Sequence, residues 1–312
     1  MSLLVVGTVA FDDIETPFGR VEKIVGGAAT YIAWAASYFT DGIRMVSIVG
    51  DDFPVSELEM LQQRNIDTSG IKIVEGGKSF FWAGKYHLNL NARDTLVTDL
   101  NVLADFDPVL PSHYRDSDFV MLGNLTPAIQ SSVIHQMAKR PKVVALDTMN
   151  YWMDNALDEL LAVLANIDLL IINEEEARQL AGQYSLLKAS ELIRKMGPKY
   201  VVIKKGEHGA LLFGEDQVFF SPALLLTEVQ DPTGAGDTFA GGLMGYLAGH
   251  EELNFEVLKQ AIICGSAMAS FCVEKFGTEA LRDIPPQQLI ERLERFSMMM
   301  QFQVPGLRKS MV

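Results

Sequence analysis

Short apolar runs of four or five residues alternate along this chain with longer stretches in which apolar residues recur every three or four positions. The short runs predict buried strands and the longer stretches predict amphipathic helices. The predicted strands are Leu3–Gly7, Met45–Val49, Phe119–Leu122, Val143–Leu146, Leu169–Ile172 and Tyr200–Lys204. The predicted helices are Ala28–Phe39, Val55–Arg64, Pro127–Ala138, Leu157–Ala165, Glu174–Ala181, Leu186–Met196, Gly236–Ala248, Phe255–Val273 and Pro286–Phe296. Because continuously apolar strands that alternate with helices are typical of parallel sheets covered on both faces, the pattern predicts an α/β fold.

Two segments interrupt this alternation, one at Ile14–Val25 and the other at Lys78–Val102. The second segment is rich in aromatic, Thr and Asn residues, and its apolar and polar positions alternate with a period near two. Both segments therefore predict β ribbons outside the parallel sheet. From Ser297 to Val312 no periodicity is visible, so no element is predicted there.

The composition is that of a globular protein, with 48% apolar and 21% charged residues in 312. The net charge of −14 argues against a nucleic-acid partner, which would require a basic surface. No run of 18 apolar residues and no basic leader is present, which argues against a membrane span and against secretion. Cys264 and Cys272 would lie about 12 Å apart on one helix, too far for a disulfide. A reduced, cytoplasmic location is therefore expected.

The stretch DPTGAGDTFAGG, residues 231–242, carries the most chemical information. Gly234 and Gly236 permit backbone angles that side chains disfavour, so the N–H groups of residues 234–237 can converge where a small-residue helix begins. Such a helix start binds a phosphate or a developing oxyanion. Asp237 within it suits a general base beside a phosphoryl acceptor. The structural alternative is a glycine-rich turn that caps a buried helix.

This stretch resembles the C-terminal signature of the ribokinase-like (PfkB-type) carbohydrate kinases, and weaker motifs extend the resemblance from Val5 to about Ile284. The resemblance implies a three-layer α/β/α fold with a mostly parallel central sheet and a small β-sheet lid. It implies MgATP as the phosphoryl donor, although neither the family nor this chain has a GxxxxGK[ST] loop. By resemblance Asp237 is the base that deprotonates the acceptor hydroxyl. The anion hole is then formed by the amides of Gly234, Ala235, Gly236 and Asp237.

The resemblance also divides the chain into two parts. Residues 1–13, 26–74 and 103–312 would form the α/β kinase domain. Residues 14–25 and 75–102 would form the lid over the acceptor.

Aromatic residues in the second lid segment leave the identity of the acceptor open. They are Phe80, Phe81, Trp82 and Tyr86. They could form the apolar slot that a nucleoside base needs, the packed face of the lid, or the interface of a homodimer, because one face of a thin ribbon must be buried. A small sugar or polyol is the first acceptor hypothesis, and a nucleoside is the second.

Asp12 follows the first predicted strand, at the edge where open α/β sheets bind ligands. A carboxylate accepts two hydroxyl hydrogen bonds at once, which suits a vicinal diol. By resemblance Asp12 binds the acceptor, and Gly26 and Gly27 let backbone amides approach it. Ribokinase itself has Lys after these glycines, where this chain has Ala28, and this difference weakens the case for ribose. Tyr31 could stack on a ring or pack inside the protein.

Three polar residues after later strands are further acceptor candidates. Asn124 resembles an acceptor-contacting position of the family, and its alternative is to cap the helix that begins at Pro127. Asp147 and Asn150 resemble the D-x-N pattern of some sugar-acid kinases, with a spacing that differs by one. They are candidates for contacts with the acceptor or with phosphate.

Two motifs suggest metal ions. Asn173 and Glu176 match the family's N-x-x-E motif, in which the carboxylate holds Mg²⁺ through water. The alternative is an acidic first helical turn that complements the helix dipole. Asp231 and Thr233 resemble positions that contribute in many relatives to a site for a monovalent cation such as K⁺.

The sequence KKGEHG resembles the nucleotide loop of the family. Gly206 and Gly209 would form the turn under the nucleotide, and Lys204 could reach a phosphate or be solvated at the end of its strand. By alignment with the family, Ser266 would face the adenine ring.

Two classes of function follow from these motifs. The first is an ATP-dependent kinase for a hydroxylated small molecule. The second is a non-catalytic sensor that binds a metabolite or nucleotide on the same scaffold. The presence of Asp237 within an intact glycine loop favours the kinase, because a sensor has no need of a base there.

Overall fold

The computed structural model describes residues 1–301. Within this part of the chain all six predicted strands are present, with ends that differ by at most two residues from those predicted. The strands are β1 (Leu3–Val6), β2 (Ala10–Thr16), β3 (Gly19–Gly26), β4 (Ile43–Gly50), β5 (Ile66–Val74), β6 (Phe80–Tyr86), β7 (Arg93–Asp99), β8 (Phe119–Leu122), β9 (Val143–Asp147), β10 (Leu169–Asn173), β11 (Tyr200–Lys204), β12 (Ala210–Phe213) and β13 (Val218–Ser221).

All nine predicted helices are present as well. The helices are α1 (Ala28–Ala36), α2 (Val55–Gln63), α3 (Pro127–Gln136), α4 (Asn150–Asn155), α5 (Leu157–Leu164), α6 (Glu174–Ala181), α7 (Leu186–Arg194), α8 (Ala235–Ala248), α9 (Phe255–Cys272), α10 (Glu279–Arg282) and α11 (Pro286–Met300). The last helix continues four residues beyond its predicted end at Phe296. The rest of the aperiodic tail, residues 302–312, lies outside the described residues.

The larger sheet has nine strands in the order β13-β12-β11-β10-β9-β8-β1-β4-β5. The strands from β11 to β5 are parallel, and at one edge β12 pairs antiparallel with both β11 and β13. The carboxyl ends of the parallel strands therefore lie at one side of the sheet, where open α/β sheets bind ligands.

Two separate hydrophobic clusters cover the two faces of this sheet. In β1, Leu3 and Val5 belong to the cluster that contains α1, α8 and α9. Leu4 and Val6 belong to the cluster on the other side, which contains residues of α3, α5, α6 and α7. Alternate side chains of a strand point to opposite faces, so the molecule is a three-layer α/β/α structure, as predicted.

Helices α1 and α8 pack backbone against backbone. A Cβ atom at Gly241 would lie 2.3 Å from the carbonyl oxygen of Ile32, and one at Gly245 would lie 2.7 Å from the backbone of Ala36. Glycine at these two positions of α8 thus permits an approach that any side chain would block.

The smaller sheet has four strands in the order β3-β2-β6-β7. It contains both ribbons that interrupt the helix–strand alternation. Strand β2 begins at Ala10, four residues before the first predicted ribbon, so Asp12 lies within this sheet rather than in a loop after β1. The apolar run continues across residues 9–11, so the sequence pattern does not mark this strand start.

Helix α9 contains both cysteines, which form no disulfide, as predicted, and are buried. Among the described residues it is also the one helix long and apolar enough to cross a membrane by length and composition alone. Since 61% of it is buried inside the protein, it has the character of a core helix.

Candidate active site

In the glycine loop before α8, Gly234 adopts the backbone conformation that the sequence predicts, whereas Gly236 lies in the first turn of α8 and has no positive φ. Gly234 is the N-cap of α8 and has a φ of 72°, in the left-handed region that favours glycine. A Cβ atom at this position would lie 2.4 Å from the ring of Tyr31, which packs directly beneath the loop. Because Tyr31 is fully buried, it supports the loop and cannot stack on a substrate ring.

The amides of this loop are not all available for an anion. The N–H group of Ala235 donates to the carbonyl oxygen of Pro232 at 3.2 Å, so its predicted place in the anion hole is not realised in this conformation. The N–H groups of Gly234 and Gly236 have no backbone acceptor within residues 1–301. At the start of a 14-residue helix, these two amides form the positive end of the helix dipole.

Asp237 lies in the first turn of α8. Burial, and then the nearby negative charge of Asp147, raise the pKa of its carboxyl group to about 7, although the positive charge of Lys204 opposes the shift. A carboxyl group with a pKa near the working pH is suited to accept a proton in a reaction.

Lys204 ends strand β11 and extends towards the glycine loop. Its Nζ atom lies 3.3 Å from an Oδ atom of Asp147, and the two side chains are only 17% and 10% exposed. A Cβ atom at Gly236 would lie 3.0 Å from the same Nζ atom, so the ammonium group borders the loop. Burial lowers the pKa of Lys204, but Asp147, Glu176 and Asp237 more than offset this, and Lys204 stays protonated.

Asn173 and Glu176 form a reciprocal capping box at the start of α6. The N–H group of Asn173 donates to Oε2 of Glu176 at 2.8 Å, and the N–H group of Glu176 donates to Oδ1 of Asn173 at 2.9 Å. The helix-start alternative is therefore realised, and Oε1 of Glu176 is left for a further ligand. Burial, and then Asp147, raise the pKa of Glu176 to about 7.

The acceptor candidates on β2 and β3 lie close together. Asp12 is buried, and a Cβ atom at Gly26 would lie 1.9 Å from its Oδ2 atom. Gly27 has a φ of 90°, and a Cβ atom there would lie 2.5 Å from the carbonyl oxygen of Thr8. Gly26 thus makes room for the carboxyl group of Asp12, and Gly27 makes room for the backbone of Thr8. Burial, followed by the negative charges of Asp231 and Asp237, raises the pKa of Asp12 to about 8.

Asn124 has both of its side-chain polar atoms engaged. Its Oδ1 atom accepts from Nε1 of Trp152 at 2.8 Å, and its amide group donates to the sulfur of Met149 at 3.0 Å. The alternative role as a helix cap is wrong, because Thr126 caps α3 through its hydroxyl group. The amide group of Asn150 donates to Gln179 and links α4 to α6.

The predicted nucleotide loop connects β11 to β12. Gly206 and Gly209 have φ values of 54° and 93°, so both need the freedom of glycine. Ser266 lies on α9, and its Oγ atom is 3.4 Å from that of Ser221 at the end of β13. The structure therefore brings Ser266 next to the strand pair that follows the loop.

The residues proposed for a monovalent cation already have protein partners. The Oδ1 and Oδ2 atoms of Asp231 accept the N–H groups of Thr233 at 2.8 Å and of Gly277 at 3.1 Å. The carbonyl group of Thr233 accepts the thiol of Cys272 at 3.5 Å. Because these oxygen atoms already accept hydrogen bonds from the protein, they do not require K⁺ to satisfy them. In this structure Asp231 holds the start of the glycine loop.

The aromatic residues of the lid ribbon differ in their surroundings. Phe81 packs against the main hydrophobic cluster, and Tyr86 is buried with its hydroxyl group bonded to Thr233. Trp82 is half-buried and its ring covers Gly84, where a Cβ atom would lie 2.1 Å from the ring. The sequence interpretation did not foresee the contact between Tyr86 and the glycine loop.

The site thus combines a buried carboxyl group, a buried ammonium group and two free amides at a helix start. Among residues 1–301 no group of three His, Cys, Asp or Glu side chains could hold a metal ion. A Mg²⁺ ion that keeps most of its water and phosphate ligands fits the single free oxygen of Glu176. The arrangement can bind a polyphosphate and remove a proton from a neighbouring hydroxyl group.

Comparison with known proteins identifies the family of this chain. The model of the pfkB family carbohydrate kinases matches residues 3–284. A cytidine kinase of Thermococcus kodakarensis is 28% identical over 281 residues, which cover 89% of this chain and 98% of the relative. A 2-dehydro-3-deoxygluconokinase of Thermoproteus tenax is 28% identical over 262 residues, which cover 78% of this chain and 80% of the relative.

Among solved structures, a protein assigned as ribokinase II from E. coli, in complex with ATP and Mg²⁺, shares the fold with a TM-score of 0.77. The alignment covers 96% of this chain and 99% of that chain at 17% identity.

Proposed function

Since the chain belongs to the pfkB family of carbohydrate kinases, we propose that it transfers the terminal phosphoryl group of ATP to a hydroxyl group of a small sugar or polyol. The observation that carries this proposal is the position of Asp237. Its carboxyl group is buried at the start of α8, has a pKa of about 7, and lies beside the free amides of the glycine loop.

In the proposed reaction Asp237 takes the proton from the acceptor hydroxyl group. The acceptor oxygen then forms a bond to the terminal phosphorus of ATP while the bond between that phosphorus and the oxygen of ADP breaks. A base with a pKa near 7 is about half ionised at neutral pH and is still able to hold the proton that it receives.

The free amides of Gly234 and Gly236 are proposed to stabilise the charge on the transferred group, together with the dipole of α8. Lys204 lies against this loop and would contact the phosphates, in keeping with its buried, protonated state. Mg²⁺, held by Glu176 through water, would neutralise the charge of the donor phosphates. We propose that Gly206, Gly209 and Ser266 border the nucleotide.

For the acceptor side we propose that Asp12 binds hydroxyl groups and that the smaller sheet is a lid that excludes water, the competing nucleophile. Asn124, Asp147 and Asn150 have protein partners in this structure, so direct acceptor contacts by them would require these partners to be exchanged. We propose that the enzyme is cytoplasmic. A homodimer formed through the lid is a further hypothesis, and sedimentation at micromolar concentration tests it.

A nucleoside acceptor is the second candidate, and the position of Trp82 favours it. Trp82 is paired directly with Asp12 in the smaller sheet, so its half-buried ring projects from the same face as the carboxyl group proposed to bind hydroxyls. A ring beside a diol-binding group suits a nucleoside, in which a flat base is attached to a ribose. The relative from T. kodakarensis is a cytidine kinase.

The test is a coupled ADP-release screen with MgATP against pooled sugars, sugar acids, polyols and nucleosides. Asp237→Asn should lower kcat on any hit by at least ~10²-fold while ATP binding is retained. Full activity of this variant would refute the role of Asp237. Silence of the wild-type enzyme on every pool, with ATP binding shown by calorimetry, would favour the sensor hypothesis.

A further inference from the structure

The face of the smaller sheet that is turned to the glycine loop, here called the inner face, contains Arg93 as well as the proposed acceptor contacts. Trp82, Gly84 and Tyr86 alternate along β6, and the buried end of Tyr86 fixes which face is turned to the glycine loop. Trp82 pairs with Asp12 on this face. In the antiparallel pair of β6 and β7, Tyr86 lies directly opposite Arg93. Directly opposed residues of neighbouring strands share a face, so Arg93 projects from the inner face as well.

Two contacts place this end of the sheet over the site. The hydroxyl group of Thr233, one residue before Gly234, donates to that of Tyr86 at 3.1 Å. The hairpin between β6 and β7 reaches the nucleotide loop, because a Cβ atom at Gly206 would lie 2.8 Å from Oδ1 of Asn91. Arg93 begins β7 two residues after Asn91, so it lies between the glycine loop and the nucleotide loop.

Arg93 has no salt bridge within residues 1–301, although the chain has an excess of acids. Its guanidinium group lies 5.8 Å from the centre of the Trp82 ring, which keeps it on the inner face. Its positive charge lowers the pKa of both Asp237 and Glu176, so it is within electrostatic range of the proposed base and of the proposed magnesium ligand. These two residues border the space that the transferred phosphoryl group would cross.

We propose that Arg93 is a further catalytic residue, which binds the terminal phosphoryl group of ATP from the lid side. This inference rests on the proposed function. The guanidinium group donates hydrogen bonds to the phosphoryl oxygens and keeps all its protons. The proton of the acceptor still goes to Asp237, and the bond to ADP breaks as described above. The role demands a positive, forked donor that arrives with the lid, whereas Lys204 supplies a fixed charge from the sheet.

The test compares Arg93→Ala and Arg93→Lys with Lys85→Ala as a matched control. Lys85 belongs to the same strand pair but lies on the outer face, where its Nζ atom is 2.6 Å from Glu15. Calorimetry with Mg²⁺ measures the affinity of each variant for ADP and for the imido analogue of ATP. A residue that touches the terminal phosphoryl group affects binding of the ATP analogue but not of ADP. The ratio of the two affinities therefore reports on this contact, and it can be measured without knowing the acceptor.

Arg93→Ala should lower the affinity for the ATP analogue relative to ADP by roughly tenfold, and Arg93→Lys should lie in between. With an acceptor in hand, kcat of Arg93→Ala should fall by at least ~10²-fold. The proposal is overturned if Arg93→Ala changes the ratio no more than Lys85→Ala does. If no acceptor is phosphorylated by the wild-type enzyme, the proposed function fails while the ratio still decides the role of Arg93.

Discussion

Replacement of Lys204 by Met tests whether the buried charges of the site depend on one another. Lys204 and Asp147 are 17% and 10% exposed and lie 3.3 Å apart, so water screens them little. The variant leaves the carboxyl group of Asp147 buried without its partner, near two further acids, Glu176 and Asp237. Loss of one member of a buried ion pair costs about 3–5 kcal/mol of stability.

The loss should depend on pH in a definite direction. Burial already raises the pKa of Asp147, Glu176 and Asp237 above their values in the unfolded chain, and Lys204 lowers all three. Without Lys204 these pKa values rise further. A group whose pKa is raised by folding adds stability below its unfolded pKa, and that stability is lost as pH rises through its folded pKa. The variant should therefore be least stable above about pH 7 and recover towards pH 5.

Urea denaturation at pH 5.5 and pH 8 measures this difference. Lys205→Met is the control, because it removes the same charge from the next residue, which has no salt bridge among residues 1–301, and should change stability by less than about 0.5 kcal/mol. In Lys204→Met with Asp147→Asn, removal of both charges should restore much of the stability at pH 8. Equal stability of Lys204→Met and Lys205→Met at pH 8 would refute the reasoning.

Three further predictions concern the loop, the base and the lid. Gly234→Ala should lose about 2–5 kcal/mol, because it adds steric overlap to an unfavourable φ. Gly182→Ala, with a φ of 61° and open space around it, should lose only about 1–2 kcal/mol, and equal losses in denaturation would contradict this. Asp237 must be ionised to act as the base and has a pKa of about 7, so kcat should rise with pH and level off near pH 8. A kcat that does not change from pH 5 to 9 would exclude Asp237 as the base. Tyr86→Phe removes the hydrogen bond from lid to loop, so it should cost about 1 kcal/mol and raise KM for the acceptor; thermal unfolding and kinetics that match wild type would argue against this contact.

The parallel sheet could be predicted from the sequence because its strands are buried on both faces and read as continuous apolar runs. Strand β5, with the sequence IDTSGIKIV, is an edge strand with several polar positions, so its pattern gave no comparable signal. The antiparallel pair β12 and β13 was missed for a similar reason, since β13 is half exposed at the other edge.

For the site, the glycine spacing was sufficient to predict the loop before α8, because a positive φ is a local property. Its partners were not predictable, because they come from distant parts of the chain. Tyr31 packs beneath the loop from α1, Asp147 at the end of β9 pairs with Lys204 at the end of β11, and Tyr86 reaches Thr233 from the smaller sheet. A motif search also could not show that Ala235 donates to Pro232 and is thereby withdrawn from the anion hole.

The close contact of α1 and α8 determines which parts of the cleft can vary to accommodate a different acceptor. The Gly26-Gly27 pair precedes α1 and the glycine loop precedes α8, and the two helices approach each other closely at Gly241 and Gly245. The floor of the cleft therefore tolerates little change at Gly241 and Gly245, because any side chain there would collide with the backbone of α1. A larger or smaller acceptor has to be accommodated from above, by the strands of the smaller sheet. Libraries that aim to alter acceptor choice should vary β2, β6 and β7, and grafts of these strands from relatives should transfer preference while the floor stays intact.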